Sequence, residues 1–153
     1  MGRSIGAVVL GYLTMFVIVF ITLTVSFLAL GVDRVFLPGT YAVTPLWLAV
    51  MAVFSILAAI AGGRICAVIG RKKGAVTGLL IVVFVLGSLN VIPALMANGT
   101  SAARSGDVPN VQAMMNAREP VWFALLLVVI GVSGVWAGGR SGLLAKHRER
   151  YEG

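Results

Sequence analysis

Few residues in this chain have the chemistry to act on a substrate, and none of them stands beside a partner that would activate it. Asn90, Thr22 and Ser26 are the polar residues inside long apolar runs that most resemble functional groups. An amide or hydroxyl there can contact a substrate or line a pore. It can also bond a neighbouring helix, or turn back to its own backbone. Arg64 and Arg140 are the cations nearest to the apolar runs, and no Asp or Glu lies within any of those runs. A guanidinium so placed can reach the headgroups and fix helix depth, or grip an anionic lipid or an acid on another chain. The single histidine, His147, lies in a charged tail, so paired histidine ligation within one chain is excluded. The single cysteine, Cys66, excludes an intrachain disulfide and a cysteine-only metal site. Phosphate-binding glycine loops, nucleophile elbows and zinc-protease motifs do not occur. No catalytic residue and no metal ligand is therefore expected.

The elements that carry these residues are readable from composition. Hydrophobic residues make up 59% of the chain and charged ones 11%, with a mean hydropathy of +1.03. Polar groups are too few to cover so much apolar surface in water, which makes lipid the expected solvent. Four runs are each long enough for a hydrocarbon layer of ~30 Å at a rise of ~1.5 Å per residue. They predict helices over about 5–30, 45–69, 74–97 and 120–145. The first is too long for a signal peptide and reads as a retained span. Loop 98–119 is the one sizeable polar segment, and its second half predicts a short amphipathic helix. Val111, Met114 and Met115 would form that helix's apolar docking surface. Tyr41 and Trp47 fall where the second span enters the membrane, as interfacial aromatics do.

The expected fold class is all-α: a polytopic membrane protein of four spans, arranged as two hairpins in a single domain, 1–153. Pro45-x-Trp47 opens the second span and Ala61-Gly62-Gly63-Arg64 closes it; Pro120-x-Trp122 and Ala137-Gly138-Gly139-Arg140 do the same for the fourth. The correspondence suggests a parallel two-helix repeat. Gly62, Gly63, Gly134 and Gly138, with Gly74 and Gly78 at the start of the third span, are the expected helix-packing residues. Missing side chains let backbones approach, and packing must drive association where no hydrophobic force does.

Charge sets the expected orientation. Arg3, Arg64, Arg71, Lys72, Lys73, Arg140, Lys146, Arg148 and Arg150 fall on one side of a four-span threading, and only Arg34, Arg104 and Arg118 on the other. Both termini are then expected in the cytoplasm of a bacterial inner membrane. Arg64, Arg140, Arg71, Lys72 and Lys73 become candidate contacts for anionic lipid or partner subunits. The net charge of +7 is accounted for in this way, without nucleic acid.

With its Gly-Gly-Arg helix ends, the chain resembles uncharacterised bacterial four-helix membrane proteins, a likeness that implies no activity. Small multidrug transporters also have four spans, but the acid that serves them in helix one has no counterpart here. The expected function is a non-catalytic accessory or structural subunit of a larger inner-membrane complex, acting by helix packing and by lipid or partner binding. The alternative is a small homo-oligomeric transporter or channel, with a site at the repeat interface. No cofactor is expected, although bound lipid, quinone or pigment would need only apolar side chains and so leave no motif to read.

Overall fold

Thr44 sets the start of the second span. Its Oγ1 accepts from the Trp47 N–H at 3.4 Å, while Pro45 occupies the first helical position, where an N–H has no intrahelical partner to lose. The same hydroxyl donates to the Arg34 carbonyl at 2.8 Å and ties this helix to the preceding loop. The computed structural model describes residues 2–70, 73–96 and 110–149, with side chains except at 73, 110, 111, 114 and 144–149. It is all-helical in its regular elements: α1 (Gly2–Leu30), α2 (Val32–Val35), α3 (Pro45–Gly70), α4 (Lys73–Met96), α5 (Asn110–Met115) and α6 (Val121–Glu149). Four of these are long and apolar enough to cross a membrane, over Gly2–Leu30, Pro45–Gly70, Gly74–Met96 and Val121–Leu143. They pack against each other as one bundle, with ends within a few residues of those expected.

Glycine contacts fix the helix directions. A Cβ on Gly11 would lie 2.9 Å from Cys66 Cβ, and one on Gly62 would strike Met15, so α1 and α3 run antiparallel. A Cβ on Gly134 would lie 2.5 Å from Ala59 Cβ, and one on Gly138 would strike the Ile60 carbonyl. The numbers therefore rise together, and α3 and α6 run parallel. Gly131 meets Val83 and Gly139 meets Val76, so α4 and α6 are antiparallel. The α3–α6 pairing is the most extensive in the bundle, followed by α1–α3 and α4–α6, with α1 also beside α4.

Among the described residues, two apolar clusters fill the interior. The one nearer the termini is built from small and branched residues: Ala7, Ala59, Cys66, Ala67, Ala75, Leu79 and Val135. Leu79 and Val135 are fully buried there. The other, at the opposite end, is aromatic. Phe27, Phe36 and Trp47 form edge-to-face pairs with centroids 5.9–6.1 Å apart, and Tyr41 stands on Phe36 at 6.2 Å. This cluster is a cap folded from the 31–44 loop, with Ala113 and Ala117 from the segment before α6. Residues Leu37 to Thr40 make a turn closed by Thr40 N–H to Leu37 O at 3.2 Å, with Pro38 second and Gly39 third at φ 70°. That third position needs a positive φ, which glycine adopts without strain. Phe36 then bridges Val43, and Ala42 bridges Arg118, which joins the segment before α6 to the loop before α3.

The cap qualifies one expectation. Trp47 does stand at the start of the second span, but it faces inward: it is 5% exposed and packed on Phe27. Trp122, its counterpart in the repeated motif, is 59% exposed. The prolines differ as well. Pro45 is the first residue of α3, whereas Pro120 precedes α6 and accepts from the Phe123 N–H at 2.9 Å.

Candidate functional site

The expected site residues fall in three places. The first is the packing interface. A Cβ on Gly62 would run into Met15, and one on Gly63 into the Val135 carbonyl. Gly134 and Gly138 press on Ala59 and Ile60, so these four glycines bring helix backbones together. Gly78 is in lighter contact: a Cβ there would lie 3.2 Å from Val8 Cγ2. Among the described residues Gly74 packs on nothing: a Cβ there would meet none of their atoms within 4 Å, because the residue is on the outer side of α4. The spacing by four that linked Gly74 to Gly78 aligns residues on one helix without saying that a neighbour covers both. Gly11, Gly70, Gly131, Gly139 and Gly142 also sit at close approaches. The small-residue spacings Ala7-xxx-Gly11 and Gly138-xxx-Gly142 were the available signal for two of them.

The two Gly-Gly pairs are used differently. On α3, the first glycine faces α1 and the second faces α6. On α6, the first faces α3 and the second faces α4. Consecutive helical residues point about 100° apart, so one pair can serve two neighbours. The repeated motif keeps that property while its register to the neighbours shifts by one residue.

The second place is a cavity of about 460 Å³ at the capped end, between α4, α6 and the segment that follows α5. Asn90, Asn116, Arg118 and Glu119 contribute its polar groups. Asn90 donates from Nδ2 to the Leu86 carbonyl one turn back at 2.9 Å, so one of its amide hydrogens serves its own helix. Thr22 likewise donates to Ile18 O at 2.6 Å, as Thr14 does to Leu10 O at 2.8 Å. Ser26 is half-buried on the same helix. Thr22 and Ser26 are on α1 and do not line the cavity with Asn90. Of the expected docking surface, Met115 is 82% exposed and lines the cavity rim, while the side chains of Val111 and Met114 lie outside the described residues. Among the described side chains of α5, Ala113 is fully buried in the aromatic cluster.

Burial pushes the Glu119 carboxyl above the ordinary glutamate range of about 4.3. The folded chain therefore holds this proton more tightly than the unfolded chain does. Stability should fall as pH rises from that ordinary range through the raised value, and the penalty should persist at higher pH. Glu119→Gln should flatten this dependence and leave the protein more stable near neutrality. Denaturation midpoints of the two proteins over a pH series would check this, and parallel profiles would contradict it.

The third place is basic. Arg64 and Arg140 are both exposed near the end that bears the termini. The Arg64 stem lies along α6, where a Cβ on Gly142 would be 3.4 Å from its Cγ. The Arg140 guanidinium sits over the Trp136 ring, 5.5 Å from the centroid, within the range of a cation–π contact. Arg71 and Lys72 lie outside the described residues, as does the side chain of Lys73. Among the described residues no group of three or more His, Cys, Asp or Glu could hold a metal ion. No family model, curated protein or solved structure matches this chain.

Proposed function

We propose that this protein is a non-catalytic structural subunit of a larger membrane complex, which works by packing its helices rather than by passing or transforming a substrate. The observation that supports this reading is the α3–α6 contact. There Gly63 meets the Val135 backbone and Gly138 meets the Ile60 backbone, in an interior lined by alanine, valine, leucine and cysteine. Thr22, Asn90 and Ser133 bond back to their own helices, which weighs against a polar path through the bundle. The proposed setting is a bacterial inner membrane with both termini cytoplasmic. The positive charges near the termini support that orientation. A reporter active only in the cytoplasm should work when fused after Gly153, and activity only of a periplasmic reporter there would reverse the orientation.

The subunit reading is tested by extraction from native membranes in mild detergent, followed by native mass spectrometry. A fixed stoichiometry with at least one other membrane polypeptide is expected. A sharp homo-oligomer free of any other chain would sink the proposal.

A further inference from the structure

Between α4 and α6, on the outer surface of the bundle, two cavities of about 450 and 430 Å³ share Leu80 and Trp136. Together they form one groove. Leu80 and Val132 are half-buried along its base, while Phe84 and Trp136 stand 57% and 55% exposed at its sides. Near the termini the two helices close together, since a Cβ on Gly139 would lie 2.5 Å from Val76 Cγ1. The upper groove is apolar, and the one hydroxyl in it, Ser133, donates to its own helix at Val129 O, 2.7 Å away. The lower end carries Arg140, held over Trp136.

Length and charge together indicate an occupant. From Val128 to Arg140 a helix rises ~18 Å, close to the ~15 Å of hydrocarbon in one leaflet. A spanning helix would need twice that length, and would cover Arg140 at a cost unless it brought an acid. Neither α4 nor the span of α6 supplies a carboxylate. We propose that the groove binds one anionic phospholipid from the leaflet on the side of the termini, with an acyl chain along Leu80 and Val132 and the phosphate at the Arg140 guanidinium. This site goes beyond the subunit reading and does not depend on which polypeptides surround the bundle.

The test uses the full chain, purified and presented with equal amounts of phosphatidylglycerol and phosphatidylcholine, with retained lipid counted by native mass spectrometry. Phosphatidylglycerol should be retained about fivefold over phosphatidylcholine, the effect of roughly one basic side chain at an anionic surface. Arg140→Leu should bring the two lipids to parity, and Arg140→Lys should keep most of the preference. Val129→Trp adds bulk at a position 63% exposed, where folding is not at risk, and should lower retention of both lipids. Equal retention of the two lipids by the unmodified protein would overturn the site. So would an unchanged preference in Arg140→Leu, or full retention in Val129→Trp. None of these results bears on co-isolated polypeptides, so the two proposals can fail separately.

Discussion

Gly138→Leu should destabilise the bundle by about 3 kcal/mol, the upper end of the usual cost of overpacking a core. The first atom the new side chain would meet is the Ile60 carbonyl oxygen, which is backbone and cannot rotate aside. Nor can α3 slide along α6 to make room. Gly63 is already against the Val135 backbone and Gly134 against Ala59, so relief at one contact tightens another. The two helices would have to separate along their whole seam. In lipid no hydrophobic force resists that separation; the seam is held by dispersion between close surfaces, and this weakens steeply with distance. The loss should appear as a lower denaturant fraction at the midpoint of SDS unfolding in mixed micelles. Gly74→Ala is the control: it adds the same kind of atom where no described residue lies within 4 Å, and should be neutral or up to about 1 kcal/mol stabilising through helix propensity. Equal midpoints for Gly138→Leu and the unmodified protein would show that α3 and α6 do not meet as described.

Phe36→Ala should have the other large effect, about 3–5 kcal/mol for truncating a buried aromatic. Phe36 is 1% exposed and joins the ring of Phe27 on α1 to that of Tyr41 in the loop, while Phe27 continues to Trp47 at the start of α3. Each such edge-to-face pair adds ~0.5–1.5 kcal/mol beyond the area it buries. Removing the central ring opens the cap and wets Trp47. The expected signature is a red shift in tryptophan emission, with faster proteolysis across 31–44 and little change in helix content. Unchanged emission and proteolysis would mean that the cap does not depend on this ring.

The spans were legible because a run of apolar residues reports its length directly, whatever faces it. The seam was half legible. Small residues spaced by four mark a face on which helices can approach, and Gly62, Gly63, Gly134 and Gly138 do so. What spacing leaves open is which neighbour, if any, covers that face, and so Gly74 reads like Gly78 although only Gly78 touches α1. The repeated Gly-Gly motif gave the shared direction of α3 and α6, while its shift in register depends on how four helices surround one another. The burial of Trp47 was not legible for a related reason. A tryptophan at the edge of a span suits the interface as well as a core, and the loop of residues 31–44 that buries it folds through non-local pairs such as Ala42 with Arg118. The cavity that Glu119 and Asn90 both line is likewise tertiary, since the two lie 29 positions apart in the sequence.

The claim that the bundle packs rather than conducts is tested most directly by solute and ion flux into proteoliposomes holding the purified chain. Flux indistinguishable from that of protein-free liposomes is predicted, for the unmodified protein and for Asn90→Ala alike. Flux above that background, abolished by Asn90→Ala while the helices remain folded, would contradict it.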